Sequence, residues 1–289
     1  MAEGSHEPVL VEEVVEILRR ADAVLDLTVG TGGHARALLD AGVGLVVGVD
    51  RDPDALAEAR RRLAPYGDRF RGVEAEFDDP GLAAGRAGVE RADGVLYDLG
   101  VSSLQLDRPG RGFSYRTEGP LDMRMGGGNV TAADVVNTYG EEELERVIRE
   151  YGEERFAGRI ARAIVRARRR APLGTTRELA AVVAAAVPRR RGGPHPARRT
   201  FQALRIEVNR ELEELAASLP RAVQLVTPGG RMAVISYHSL EDRIVKRFLR
   251  DDDRLDVLTR KPVRPTEAEI GRNPRAGSAK LRAGERRAA

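Results

Sequence analysis

The sequence contains no cysteine among its 289 residues. This absence excludes disulfide bonds, thiolate-bound metal sites, iron–sulfur clusters and catalysis by a cysteine nucleophile. The sequence also lacks an apolar run of about 18 residues, the length that suggests a membrane-spanning helix. The residues after Met1 have neither the basic nor the apolar region of a secretory signal. We therefore expect a cytoplasmic protein without membrane contact.

Lysine is scarce as well, since only Lys246, Lys261 and Lys280 occur among the 48 basic residues. Arginine is concentrated in residues 155–199, where thirteen arginines and one acid, Glu178, give a formal charge of +12. Because the whole chain carries +3, the remaining residues carry −9. This asymmetry favours a polyanionic partner such as a nucleic acid. A solvated face in a chain that uses arginine for lysine explains the charge equally well.

The first hundred residues alternate short apolar runs with helical patterns, which predicts a parallel α/β sheet. The predicted strands are 24–28, 45–49, 70–74 and 94–99. A helix is expected from about His34, and another over 54–63, where Pro53 suits the first turn.

The alternation stops after the fourth strand. Residues 105–125 are rich in glycine, proline, arginine and aspartate and predict a loop, whereas 131–219 show helical periodicity, including a capping box of Thr175 and Glu178. A strand at 231–236 and a helix at 241–249 resume the first pattern, and the tail from Arg260 is predicted to be loop-rich. We predict a doubly wound, Rossmann-like α/β domain formed by 1–104 and 207–289, with a mainly helical domain, 105–206, inserted in it.

The segment from Asp26 to His34, Asp-Leu-Thr-Val-Gly-Thr-Gly-Gly-His, carries the strongest local signal. Glycines after a strand let the backbone approach a ligand, and the following helix offers free N–H groups. Asp50 ends the second strand, where an acid can bind a ribose diol. The pattern therefore favours an adenosine cofactor over a tight turn that binds nothing.

Two cofactors fit this pattern. Gly30, Gly32 and Ala35 satisfy a loose dinucleotide fingerprint, so a nicotinamide-dependent oxidoreductase is one alternative. Asp26 and Asp98 close the first and fourth strands, where carboxylates suit the positively charged S-adenosylmethionine. Without cysteine, methylation of pyrimidine C5 through a covalent adduct and radical methylation are both excluded. Direct in-line transfer to oxygen, nitrogen or a nucleophilic carbon remains.

Ten motifs, in one order along the chain, resemble the MraW/RsmH family of bacterial small-subunit ribosomal RNA (cytosine-N4)-methyltransferases. They occupy residues 6–10, 26–34, 98–107, 111–114, 119–125, 151–156, 195–205, 228–231, 236–246 and 273–282. The resemblance implies a class I S-adenosylmethionine-dependent methyltransferase fold. It also implies, as partner, small-subunit ribosomal RNA or the assembling subunit, with one cytosine of the decoding region as substrate.

The resemblance further implies which residues bind the cofactor. They are Gly32, Gly33, His34, Asp50, Phe77, Asp98 and Gln105. Phe77 would pack against the adenine and Asp50 would bind the ribose. Asp98 is the candidate catalytic residue, as the acceptor for the exocyclic amine of cytosine, whose delocalised lone pair makes it a poor nucleophile. We expect no metal, because His6, His34, His195 and His238 are scattered.

Three departures from the family pattern are Glu76, Tyr237 where phenylalanine is usual, and Gly277 where arginine is usual. None is an implied cofactor ligand. The resemblance does not identify the residue that holds the target base. Because unpaired RNA bases are recognised by stacking on aromatic side chains, the candidates are Phe113, Tyr115, Tyr237 and His238. The remaining alternative is a non-catalytic RNA-binding or assembly factor that retains the fold.

Overall fold

A computed structural model describes the following parts of the chain: 8–102, 105–106, 108–188, 193 and 195–288. Five motif residues lie outside them: His6, Glu7, Ser103, Leu104 and Asp107. The chain forms two compact units, the first comprising Met1–Ser102 and Leu212–Ala289 and the second Ser103–Glu211. The insertion predicted at 105–206 falls within the second unit.

A seven-stranded sheet forms the centre of the first unit. Its strands are β1 (Ala23–Asp26), β2 (Leu45–Asp50), β3 (Phe70–Glu74), β4 (Ala92–Asp98), β5 (Val226–Ser236), β6 (Leu255–Val257) and β7 (Lys280–Arg286). Their spatial order is β3-β2-β1-β4-β5-β7-β6. Strands β1 to β5 run parallel, whereas β7 is antiparallel to β5 and β6. The predicted doubly wound, Rossmann-like α/β fold is confirmed.

The helices cover the sheet in the first unit and make up most of the second. They are α1 (Val11–Leu18), α2 (Gly33–Asp40), α3 (Pro53–Leu63), α4 (Pro80–Arg86), α5 (Ala132–Thr138), α6 (Glu141–Glu150), α7 (Ala157–Arg168), α8 (Thr176–Ala186), α9 (Arg198–Asn209), α10 (Glu211–Leu225), α11 (Ser239–Asp251) and α12 (Glu267–Arg272). Within the described ranges, no helix combines the length and the apolar composition needed to cross a membrane.

The strands bury side chains on both faces of the sheet, as parallel strands do when helices cover them. In β1, Leu25 belongs to one apolar core and Val24 to the other. In β4, Tyr97 and Leu96 divide in the same way, and the Tyr97 hydroxyl is hydrogen-bonded to Ser218 at 2.6 Å. This packing fixes the carboxyl ends of β1, β2 and β4, and the strand order reverses between β1 and β4. Sheets of this kind bind their ligands at that edge.

In the second unit, helix α8 begins at the predicted capping box. Thr175 accepts a hydrogen bond from the Glu178 amide at 3.2 Å, and Glu178 Oε2 accepts one from the Thr175 amide at 2.9 Å. Helix α7 buries Ile160 and Ile164. The arginines exposed along and beside α7 are Arg155, Arg159, Arg162, Arg166, Arg169 and Arg170.

The prediction of a loop-rich tail from Arg260 was wrong, because the tail contains α12 and β7. In β7, Leu281 and Ala283 are fully buried, but Arg282 is buried too. Its guanidinium donates to Asp242 Oδ1 at 2.7 Å, and Lys280 binds Oδ2 of the same carboxylate at 3.0 Å. Asp242, which pairs with both of these charges, is 40 residues before Arg282. Because the strand contains charged residues with a distant partner, the local sequence lacks the apolar pattern that predicts a strand.

Candidate active site

The loop between β1 and α2 makes its turns at glycines. Gly30 and Gly32 have φ values of +52° and +84°, which side chains with a Cβ rarely adopt. A Cβ at Gly32 would also lie 2.9 Å from Cδ1 of Leu63 in α3. The first turn of α2 follows at Gly33, so its N–H groups face the end of this loop.

Asp50, the last residue of β2, is bonded to this loop. Its Oδ2 accepts a hydrogen bond from the Gly30 amide at 2.9 Å, and its Oδ1 accepts one from the Asp52 amide at 2.9 Å. Burial raises the pKa of the Asp50 carboxyl to about 6, although both hydrogen bonds favour the charged form. Each oxygen keeps a further lone pair, so Asp50 can still accept from a ligand hydroxyl.

Asp98, the last residue of β4, contacts two other polar side chains. The Tyr237 hydroxyl donates to its Oδ1 at 2.8 Å, and its Oδ2 lies 3.4 Å from Nε2 of His34. The Asp98 amide donates to the Thr28 hydroxyl at 2.6 Å, which joins β4 to the loop after β1. The Asp98 side chain is 24% exposed, whereas that of His34 is only 5% exposed. The carboxylate is therefore held and remains open to a substrate.

Asp26 and His34 are both buried, and both interact electrostatically with Asp98. Burial raises the pKa of Asp26 to about 7, against the charge of His34 and the 3.2 Å hydrogen bond from the Thr28 amide. Burial alone would lower the pKa of His34, but the contact with Asp98 and the charges of both aspartates raise it. Nδ1 of His34 is buried without a hydrogen-bond partner in the described part of the chain. A buried donor or acceptor without a partner is costly, and a ligand group here would satisfy it.

Phe77 lies beyond the end of β3 and is half-buried. Its ring meets Tyr97 edge-on at 6.0 Å, and the guanidinium of Arg51 lies 5.8 Å from its centroid. The backbone carbonyl of Phe77 accepts a hydrogen bond from Ser218. Arg51 follows Asp50 directly, so the ring lies close to the end of β2.

The structure thus brings six of the seven predicted cofactor residues to the first unit. Gly32, Gly33, His34, Asp50 and Asp98 lie at the ends of β1, β2 and β4, and Phe77 follows β3. Gln105 belongs to the second unit, where it is 5% exposed. The sequence analysis did not identify Thr28, whose hydroxyl accepts from the Asp98 amide, or Arg51, which lies near the Phe77 ring. For the contact between Tyr237 and Asp98, the only signal in the sequence was a tyrosine where the family usually has phenylalanine.

The four residues that are candidates for stacking on the target base have different surroundings. In the first unit, Tyr237 is bonded to Asp98, and His238 caps α11, where its Nδ1 accepts from the Glu241 amide at 3.5 Å. In the second unit, Phe113 is buried, and Tyr115 stacks on His195 with centroids 4.7 Å apart.

Similarity to known proteins extends over nearly the whole chain. The sequence profile of the MraW methylase family matches residues 3–287. A protein of Carboxydothermus hydrogenoformans named ribosomal RNA small subunit methyltransferase H is 50% identical over 98% of this chain and 98% of its own length. Proteins of the same name from Deinococcus radiodurans and Gloeobacter violaceus are 53% and 54% identical, and cover 99% and 97% of this chain and 91% and 88% of their own.

Proposed function

The chain belongs to the MraW methylase family, and from this premise we propose that it methylates N4 of one cytosine in the decoding region of small-subunit ribosomal RNA. The methyl donor is S-adenosylmethionine. The observation that carries the proposal is the carboxylate of Asp98, which is fixed beside the glycine loop by Tyr237 and His34 and is still open on one side. We place this activity in the cytoplasm, where small subunits are assembled.

The residues at the ends of β1 and β2 fit S-adenosylmethionine chemically. When bound, this cofactor supplies an electrophilic methyl group on a positively charged sulfur. We propose that Asp50 accepts hydrogen bonds from the ribose hydroxyls of the cofactor and that Phe77 packs on its adenine. Gly32 and Gly33, which have no side chains, let the cofactor approach the protein backbone closely. Asp26 supplies a buried carboxyl group, and His34 supplies a buried Nδ1 that has no hydrogen-bond partner among the described residues. Gln105, the remaining predicted ligand, belongs to the second unit, and its part in cofactor binding stays a prediction.

Asp98 is the proposed acceptor for the cytosine amine. A hydrogen bond from the amine to a carboxylate draws electron density toward nitrogen and offers a destination for the proton that must leave. The chain has no cysteine to attack the ring, so the methyl group moves directly to nitrogen. The main contribution of the protein is then to hold the two reactants in line, an effect that can reach about 7–11 kcal/mol.

The second unit is the proposed RNA-binding domain, with the limits 105–206 predicted from the sequence. Arg159, Arg162, Arg166 and Arg169 recur at intervals of three and four residues, so they follow one side of α7. Arg155 and Arg159 lie over the ring of Phe156, at 4.4 and 5.6 Å. Guanidinium groups held in this way bind phosphate with little dependence on base sequence. The partner is small-subunit RNA, free or within the assembling subunit.

Mass spectrometry of the RNA product tests this function. Small-subunit RNA lacking the modification is incubated with the protein and S-adenosylmethionine, then digested and sequenced by mass. We expect one methyl group, on N4 of a single cytosine. No gain of mass, as a non-catalytic assembly factor would give, or a methyl group on carbon or ribose, would overturn the proposal.

The same assay with Asp98→Ala tests the role of the carboxylate. We expect methyl transfer to fall by about 100-fold or more, while calorimetry still detects S-adenosylmethionine binding. Calorimetry with NAD as the second titrant separates this function from a dehydrogenase. Unchanged turnover of Asp98→Ala would exclude Asp98 as the acceptor.

A further inference from the structure

The hydroxyl of Tyr237 contacts the proposed catalytic carboxylate directly, through the 2.8 Å hydrogen bond to Asp98 Oδ1. We propose that Tyr237 is a positioning residue, which holds the Asp98 carboxylate in one orientation during methyl transfer. This inference rests on the proposed function. It adds a role to a residue that the sequence marks only as a departure from the family pattern.

The position of Tyr237 is itself fixed. It lies between the end of β5 and the start of α11, and its backbone amide donates to Glu241 Oε2 at 2.8 Å. Its ring lies against Gly100, where an added Cβ would be only 3.3 Å from Cδ2. Gly100 has a φ of +101°, which only glycine adopts without strain. The ring therefore fits closely in its place, and the hydroxyl reaches Asp98 from a defined direction.

This hydrogen bond leaves part of the Asp98 carboxylate available. A carboxylate has about four acceptor positions, and the tyrosine hydroxyl occupies one on Oδ1. Oδ2 lies 3.4 Å from His34, which is longer than an ordinary hydrogen bond. Tyr237 and His34 thus flank the carboxylate while a quarter of its side chain stays exposed. That exposed part is where an amine can donate.

The charges around Tyr237 explain why its hydroxyl stays a donor. The carboxylates that face it are Asp98, Glu241 and Glu269, and Asp98 in turn interacts electrostatically with His34 and Asp26. Burial, together with these negative groups, raises the pKa of Tyr237 well above its usual range. The hydroxyl stays protonated throughout the working pH range. A donor that cannot ionise stabilises a carboxylate without adding charge.

Tyr237→Phe removes one oxygen atom and leaves the ring, and phenylalanine is the residue that the resemblance gives as usual here. Tyr66→Phe is the matched control, because the Tyr66 hydroxyl also donates to an aspartate, Asp40, and neither residue is among the proposed site residues. For both variants we measure single-turnover methyl transfer from pH 5 to pH 9, the KM for S-adenosylmethionine and the thermal midpoint.

For Tyr237→Phe we expect kcat to fall by about 3- to 10-fold at neutral pH, the effect of losing one hydrogen bond, with the KM changed by less than about 2-fold. Tyr66→Phe follows the wild-type profile. A Tyr237→Phe profile that superimposes on that of the wild type overturns the positioning role alone, and so does an equal change in Tyr66→Phe. If the wild type transfers no methyl group, the proposed function fails and this role fails with it.

Discussion

The amide of Gly30 donates a 2.9 Å hydrogen bond to Oδ2 of Asp50, which connects the glycine loop after β1 to the last residue of β2. One carboxylate therefore shapes the loop and also faces the place proposed for the ribose. Replacing it should affect cofactor binding before it affects the fold.

Asp50→Asn keeps the shape of the side chain and removes its charge. We expect the Kd for S-adenosylmethionine, measured by calorimetry, to rise by about 10-fold or more, since charge-assisted hydrogen bonds are worth roughly twice neutral ones. Asp68→Asn is the control, because Asp68 is exposed in the turn after α3. Equal affinities for Asp50→Asn and the wild type would remove Asp50 from the cofactor site.

Gly32→Ala tests the glycine loop. Alanine at this position would have to adopt the left-handed backbone conformation of Gly32, which costs about 1–2 kcal/mol. Its Cβ would also lie 2.9 Å from the Leu63 side chain. We expect a lower free energy of unfolding in urea and weaker cofactor binding. Gly85→Ala in α4 has no atom within 4 Å of the new Cβ, and should stabilise the helix by up to about 1 kcal/mol. If both variants behave alike, the loop does not depend on glycine at position 32.

The buried carboxyl of Asp26 makes stability depend on pH. Its pKa in the folded protein is about 7, above the ordinary value of 3.8, so the folded state binds more protons between these pH values. The stability that this group contributes is complete below about pH 4 and is lost as the pH rises through 7. We expect Asp26→Asn, without cofactor, to have a melting temperature about 2–4 °C above that of the wild type at pH 8, and a smaller difference at pH 5. A pH-independent difference in melting temperature would contradict this assignment.

The arginines along α7 should determine how RNA binding depends on salt. Each lost phosphate contact makes the slope of log K against log salt less negative by about 0.7 for single-stranded RNA. The double variant Arg159→Ala with Arg166→Ala should therefore change the slope by about 1.4, with S-adenosylmethionine binding unchanged. Arg61→Ala with Arg250→Ala, two exposed arginines of the first unit, is the charge-matched control. Identical slopes for the two double variants would show that α7 does not contact the backbone.

Local patterns predicted most of what lies near the cofactor site. The first four strands are short apolar runs followed by turns, and the glycines of the motif determine its backbone conformation. The secondary structure of residues 23–50 could therefore be predicted without tertiary information. The family was identified from motifs, and the match to its profile and relatives confirms it.

Long-range contacts explain what was missed. Strand β7 depends on the pairing of Arg282 with Asp242, and the bond between Tyr237 and Asp98 spans 139 residues. His238 was a candidate for stacking on a base, yet it caps α11 with Glu241 three residues later. Its spacing is that of a capping box, but histidine is not among the usual N-cap residues.

Strands β4 and β5 are hydrogen-bonded neighbours, although the whole second unit separates them in the sequence. During translation β4 is complete long before its partner, and it presents unpaired N–H and C=O groups along one edge, which invite association with other chains. The gap from Asp98 to Val226 is about 130 residues, which takes about 6–25 s at the usual rate of synthesis. During this interval β4 is exposed without its partner strand β5. The incomplete sheet of the nascent chain therefore depends on dilution or on chaperones to stay monomeric.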